Sequence, residues 1–290
     1  MRLMILGAGY SGRAIAAELS GKAEWIGGTT RSADNFPALK PLGIEPFLFD
    51  GQALSAELGD AMRGVTHLVQ SAAPDADGDP LLRLAGLRLD RMMPDLEWVG
   101  YLSTVGVYGD HQGAWVDEET KCRPVSQRSQ DRLVAENDWQ GFSQRTGVPV
   151  AIIRLSGIYG PGRNAFVNIK RGRARRLVKP GQVFNRIHVA DIAGATAHLI
   201  AEQAGGVWNV TDDLPAPPQD VVAYACELMG VEPPPEIDFD TADLSPMARS
   251  FYGECKRVSN RKLKDSGYAF RFPDYQRALE TLWRDGDWAG

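Results

Sequence analysis

The chain opens on a short apolar run, Leu3–Leu6, which passes at once into glycines and then into a stretch with helical spacing, Arg13–Leu19. That alternation repeats. Apolar runs at Trp25–Thr29, Pro46–Phe49, His67–Gln70, Trp98–Ser103 and Val148–Arg154 predict further strands, separated by longer helix-like stretches. Strands alternating with helices predict βαβ units and a parallel sheet, because parallel strands need crossovers and these are nearly always right-handed helices. At Gly160-Pro161-Gly162 the texture changes. A basic stretch follows, helices are predicted over Asp191–Gln203 and Gln219–Leu228, and periodicity weakens over 237–290. The expected architecture is an α/β protein with a Rossmann-type doubly wound parallel sheet and a smaller α/β C-terminal substrate lobe. The dinucleotide-binding domain is expected over 1–162 and roughly 184–212, and the substrate lobe over roughly 163–183 and 213–290.

Composition narrows this picture only by exclusion. With 290 residues, 43% of them hydrophobic and 24% charged, the chain can bury a sizeable core and is neither fibrous nor disordered. A net charge of −5 gives no reason to expect a nucleic-acid partner. Cys122, Cys226 and Cys255 lie far apart with no CxxC, which argues against a disulfide framework and a zinc site. His67, His111, His188 and His198 fall on four separate elements, so no metal is expected. No apolar run approaches the ~18 residues of a membrane span, and the N-terminus lacks a signal-peptide profile. A cytoplasmic protein without a membrane partner is expected, acting on a small-molecule substrate.

The first chemistry lies in the glycines. Gly7-Ala8-Gly9-Tyr10-Ser11-Gly12 follows a predicted strand and opens a predicted helix, the context in which GxGxxG binds a dinucleotide. Gly7 permits the tight turn, Gly9 lets the backbone approach a pyrophosphate, and Gly12 lets the helix pack on the strand. The helix N-terminus offers free N–H groups to the phosphates. The end of the second strand should read the ribose 2′ position. Here it is Gly28-Thr29-Thr30-Arg31-Ser32, with no acid for the hydroxyls of NAD. Arg31, flanked by the Thr30 and Ser32 hydroxyls, would attract a 2′-phosphate, so NADP is favoured over NAD. In the competing reading Arg31 is a solvated loop residue and Asp34 supplies the acid.

At this point the sequence resembles the extended and atypical short-chain dehydrogenase/reductases, the group of nucleotide-sugar epimerases and dehydratases. The likeness is carried by Gly7–Gly12, Ser103-Thr104-Val105-Gly106-Val107-Tyr108-Gly109, Arg154-Leu155-Ser156-Gly157-Ile158-Tyr159-Gly160-Pro161-Gly162 and Arg186-Ile187-His188-Val189-Ala190-Asp191. Beyond about residue 213 it is loose. The resemblance implies that Asp50 meets the adenine and that Ser71, Ala72 and Ala73 lie along the cofactor. It also implies that Leu155, Ser156 and Gly157 sit near the nicotinamide, and that Thr104 is the catalytic Ser/Thr. Against these readings, Asp191 reads first as a cap of its own helix and His188 first as a core histidine. A homodimer is expected by analogy only.

The family's chemistry depends on Tyr-x-x-x-Lys at the start of the helix after the fifth strand. Aligned on Ala135-Glu136, this chain has Arg128 at the tyrosine position and Arg132 at the lysine position. Arg132 can still donate to ribose hydroxyls, but Arg128 cannot act as a general base because guanidinium stays protonated. Tyr252-Gly253-Glu254-Cys255-Lys256 matches the pattern but comes far too late in the chain. Tyr108, His111 and Tyr159 remain as proton donors, with packing or a solvent-facing loop as the plain alternative for each.

The stretch Arg163–Lys179 adds seven basic residues, Arg163, Lys170, Arg171, Arg173, Arg175, Arg176 and Lys179, and no acid. It reads either as a solvated face or as a phosphate-binding edge. Arg128, Tyr159, Arg163 and Arg186 are the expected substrate contacts. The expected function is that of an NADP-binding oxidoreductase or epimerase-like enzyme acting on a hydroxyl or carbonyl of a small substrate, nucleotide-linked or not. The alternative is a catalytically silent dinucleotide sensor or scaffold.

Overall fold

The computed structural model describes residues 1–290, apart from the side chains of Leu87, Pro246, Met247 and Ala248. Its strands are, in chain order, β1 (Arg2–Leu6), β2 (Trp25–Thr30), β3 (Glu45–Leu48), β4 (His67–Gln70), β5 (Trp98–Thr104), β6 (Trp115–Val116) and β7 (Val150–Leu155). They continue with β8 (Gly157–Tyr159), β9 (Arg176–Val178), β10 (Arg186–His188), β11 (Gly206–Val210), β12 (Glu236–Asp238) and β13 (Arg257–Val258). All six predicted strands of the first half are present, shifted by no more than two residues. The helix expected from Arg13 already begins at Tyr10. β11 had no counterpart in the sequence reading.

The chain forms two compact units. The first comprises Met1–Val107, Pro124–Arg154 and Ile192–Trp208. It is built on a seven-stranded sheet in the order β11-β7-β5-β4-β1-β2-β3. β1 pairs in parallel with both β2 and β4, and β2–β3 and β4–β5 continue the parallel ladder. The chain thus winds outward from β1 through β2 to β3, then returns to the other side of β1 at β4. Such a reversal leaves a crevice at the carboxyl ends of the strands, where open α/β sheets bind ligands. Leu3, Met4, Ile5 and Leu6 are all fully buried, as expected of a strand covered on both faces. The helix Tyr10–Leu19 buries Ser11, Gly12, Ile15, Ala16 and Leu19, one helical face. The helix Gln127–Thr146 starts at Ser126, whose Oγ accepts from Ser129 N, and stops at Gly147 with φ 78°.

The second unit comprises Tyr108–Arg123, Leu155–Asp191 and Asn209–Gly290. It contains three two-stranded parallel pairs, β8–β10, β9–β12 and β6–β13. One apolar cluster gathers Tyr159, Phe166, Tyr275, Leu279 and Leu282, and another Leu177, Phe239 and Tyr252. The boundaries differ from those drawn on the sequence. The chain leaves the first unit at Leu155, at the end of a buried strand with no compositional signal. Gly160-Pro161-Gly162 is a turn within the second unit, closed by reciprocal Gly160–Arg163 backbone bonds of 3.0 Å. The excursion 108–123 was not foreseen, because its strand β6 finds its partner β13 far along the chain.

Candidate functional site

In the first unit, the glycine loop joins β1 to its helix beside β4. Gly7 has φ +91°, and a Cβ there would lie 3.0 Å from Ala72 N. A Cβ at Gly12 would lie 2.9 Å from the Gly7 carbonyl oxygen and 3.0 Å from Ile5 Cγ2. Both glycines are therefore required by the fold itself. Gly9 is different: it is exposed, and the nearest atom to an added Cβ is the Gly7 oxygen at 4.0 Å. The chain leaves room there, so nothing within the protein itself demands a bare backbone. The loop is braced by bonds from Gly7 N to Thr29 Oγ1 and from Ala8 N to Thr29 O, both 2.8 Å. No side chain caps the helix at Gly9 and its first turn holds no acid. An uncapped N-terminus over an open glycine fits the pyrophosphate of a dinucleotide.

Arg31 stands exposed at the end of β2, with no hydrogen bond or ion pair among the described residues. Asp34, its competitor, is tied locally. The Ser32 hydroxyl donates to Asp34 Oδ2 at 3.0 Å and accepts from Asp34 N at 3.2 Å. Asn35 Nδ2 in turn donates to Thr30 Oγ1 at 3.0 Å. Asp50 is exposed after β3 and accepts from Gln52 N at 2.9 Å. Ser71 and Ala72 both donate their N–H to Leu6 O, which holds the loop after β4 against the glycine turn. Ala73 is exposed on the same loop. That loop has a buried anchor missed in the sequence. Asp79 receives Gln70 Nε2 at 2.9 and 3.0 Å, Trp139 Nε1 at 3.2 Å and the N–H groups of Leu81 and Leu82. Burial pushes the Asp79 carboxyl above the usual range, and these donors pull it back.

At the end of β5, Thr104 Oγ1 accepts from Gly106 N at 3.1 Å, which leaves its own proton to donate. Ser126 Oγ donates to Ser129 Oγ at 2.9 Å, and a Cβ at Gly106 would lie 2.8 Å from Ser129 Oγ and 3.3 Å from Thr104 Oγ1. Three hydroxyls thus gather beside the place where the resemblance expects a tyrosine. Arg128 is exposed on the first turn of the helix. Arg132 donates through Nη1 to the Leu102 carbonyl and lies 6.0 Å from the Tyr101 ring centroid. One turn further, Glu136 meets Arg154 in a buried bidentate pair of 2.7–3.2 Å and accepts from Ser103 Oγ at 2.5 Å. The pair was not foreseen. Its only sequence signal was a charged residue, Arg154, closing an otherwise apolar strand.

The remaining candidates belong to the second unit. Tyr108 is fully buried and its hydroxyl donates to Asn209 Oδ1 at 2.8 Å, a packing contact that leaves it poorly placed as a proton donor. His111 Nε2 lies 3.1 Å from the Tyr108 carbonyl, so that nitrogen carries the proton and Nδ1 is the basic one. Leu155 and Ser156 are buried, Ser156 Oγ without a partner, whereas Gly157 is exposed. Tyr159 Oη reaches Asp274 O at 3.5 Å, and burial raises its pKa. Arg163 is exposed, and among the described residues its side chain holds no partner. In the basic stretch Arg175, Arg176 and Lys179 bond within the unit, which leaves Lys170, Arg171 and Arg173 exposed. Arg186 donates to the carbonyls of Phe184 and Ala216 at 2.9 and 3.0 Å.

Asp191 is not the cap of its own helix. It receives Tyr268 Oη at 2.9 Å and the N–H groups of Arg271 and Phe272 at 2.7 and 2.9 Å, pinning the 268–272 segment. His188 is a core histidine, 3% exposed, with Nδ1 accepting from Ala190 N at 3.2 Å and Nε2 unpartnered. Burial lowers its pKa from 6.5 to about 4. Between those values the unfolded chain binds a proton that the folded chain refuses, so stability rises with pH across that window. Acidification from pH 6.5 to 4 is therefore expected to cost about 3 kcal/mol through this residue. Urea midpoints against pH should show a flatter acid limb for His188→Asn, which keeps an acceptor but does not titrate. An unchanged limb would place the acid sensitivity elsewhere.

Among the described residues no group of three metal-ligating side chains occurs, and no helix is long and apolar enough to cross a membrane. A family model described as the NAD dependent epimerase/dehydratase family matches residues 3–211. A solved structure of a functionally unknown conserved protein from Silicibacter pomeroyi DSS is 46% identical, covers 99% of both chains and superposes with a TM-score of 0.89. Protein YeeZ of Escherichia coli (strain K12) is 29% identical over 94% of this chain and 97% of its own. Human epimerase family protein SDR39U1 (isoform2), solved with NADPH, shares the fold at 17% identity, with a TM-score of 0.75 over 98% of this chain and 100% of that one. With a doubly wound parallel sheet, a glycine loop at the end of its first strand and a family match over most of its length, the chain belongs to the NAD dependent epimerase/dehydratase family.

Proposed function

We propose that the protein is an NADP-preferring oxidoreductase or epimerase-like enzyme that acts on a hydroxyl or carbonyl of a small substrate. The observation that carries the cofactor preference is the free Arg31 guanidinium at the end of β2, beside an Asp34 already engaged by Ser32. A carboxylate at that place would repel a 2′-phosphate, and an uncommitted guanidinium attracts one. Gly7, Gly9 and Gly12 with the helix N-terminus would hold the pyrophosphate, and Thr30, Arg31 and Ser32 the 2′-phosphate. When bound, the nicotinamide supplies or accepts a hydride. The chain's own part is to hold the substrate oxygen on the free Thr104 proton and to pass protons through the nearby Ser129 and Ser126 hydroxyls.

The test is a fluorescence titration with NADPH and with NADH, followed by a screen of carbonyl compounds for NADPH consumption. Arg31→Ala should weaken NADPH by about tenfold or more and leave NADH nearly unchanged, since one charge-assisted contact to phosphate is lost. Equal losses for both cofactors would mean the arginine points elsewhere. A dinucleotide sensor without turnover is the second reading. It is favoured by the engagement of Arg132 Nη1 with Leu102 and of the Tyr108 hydroxyl with Asn209. NADPH binding with no consumption across the screen would select it.

A further inference from the structure

We propose that the second unit binds an organic carboxylate on Arg186, a guanidinium fixed in place by two carbonyls and a tyrosine ring, with no ion pair within 4 Å among the described residues. Arg186 Nη1 donates to both Phe184 O and Ala216 O, and the guanidinium carbon lies 6.0 Å from the Tyr275 ring centroid. Its backbone is equally constrained, since Arg186 pairs with Gly157 in the β8–β10 ladder and its carbonyl accepts from Asp212 N at 2.7 Å. Among the described residues no carboxylate lies within 4 Å, and Nε and Nη2 have no partner. A partly buried guanidinium held this rigidly, with two nitrogens idle, is costly unless an anion completes it.

The surroundings supply donors. The Tyr252 and Tyr275 hydroxyls make no hydrogen bond among the described residues, and both rings feel the Arg186 charge. Asp212 accepts from Leu214 N through Oδ1 at 3.3 Å, while its buried Oδ2 has no partner. Burial holds this acid above the usual carboxylate range, against the pull of Arg186. An idle guanidinium fork and two phenol hydroxyls form a donor set that an acceptor satisfies. One positive charge is on offer, and Asp274 lies near enough to act on both Asp212 and Tyr159. A singly charged carboxylate balances that field, whereas a diphosphate would bring excess negative charge against Asp274. The tyrosine rings suit an apolar or aromatic body attached to the carboxylate.

The test is calorimetric titration of the full-length protein with benzoate and, separately, with inorganic pyrophosphate, alongside NADPH fluorescence. Wild type should bind benzoate and not pyrophosphate, and Arg186→Gln should weaken benzoate by about tenfold or more while leaving NADPH affinity unchanged. Arg186→Lys, which keeps the charge but not the fork, should fall between the two and serves if Arg186→Gln does not fold. Equal benzoate affinity in wild type and variant, or no benzoate binding to wild type, overturns the proposal. Arg186-dependent binding of pyrophosphate instead of benzoate overturns the carboxylate assignment. Benzoate binding with no NADPH binding would sink the enzymatic reading alone.

Discussion

Alanine in place of Glu136 is expected to lower the unfolding free energy by about 3–5 kcal/mol, the cost of leaving a buried charge without its partner. The side chains of Arg154 and Glu136 are only 5% and 1% exposed, and 2.7 Å separates Nη2 from Oε2. Neither charge can turn to water when the other is removed. Glu136 also accepts from Ser103 Oγ, so the carboxylate ties the helix Gln127–Thr146 to the ends of β5 and β7. Replacing both partners with apolar residues, Glu136→Leu with Arg154→Met, should cost much less than the single change, because no charge is stranded. Urea midpoints of the two single variants and the double variant measure this directly. A Glu136→Ala shift below about 1 kcal/mol would mean that water reaches Arg154 after all.

The second large effect separates two glycines three residues apart. Gly9→Ala should leave the unfolding midpoint within experimental scatter, since the added methyl meets only the Gly7 oxygen at 4.0 Å. The same change should reduce dinucleotide affinity by about 10–100-fold, the worth of one or two charge-assisted bonds from the backbone to phosphate. Gly12→Ala should do the reverse first: its methyl lies 2.9 Å from a backbone oxygen, so the fold must shift before any ligand arrives. Thermal unfolding paired with NADPH fluorescence for both variants reads the difference. Unimpaired NADPH binding by Gly9→Ala would remove the cradle from the site.

The first unit was largely legible in the sequence because its signals are local. β1, β2, β4 and β5 are nearly continuous buried runs, and Gly7–Gly12 must follow a strand and open a helix to work at all. What escaped were contacts between distant residues. Glu136 and Arg154 are separated by a helix end and a turn, and nothing in either neighbourhood announces the other. β11 was missed because Gly206–Val210 is five residues long and reads as a loop until it is set beside β7. Asp191 stands at a helix start, a position that on sequence alone reads as a cap. Its partners lie about eighty residues later, at Tyr268, Arg271 and Phe272. Tyr108 looked like a spare proton donor until Asn209, a hundred residues on, took its hydroxyl.

The interleaving of the two units also bears on how the protein comes off the ribosome. β6 emerges early as Trp115–Val116, but its partner β13 is Arg257–Val258, 142 positions later. At ~5–20 residues per second, that strand waits on the order of ten seconds for its mate, with Val116, buried in the folded protein, still in the open. The second unit cannot mature before translation is nearly finished, and no C-terminal deletion removes it cleanly. Isolating either half for study calls for rewiring the chain order, not for shortening the gene.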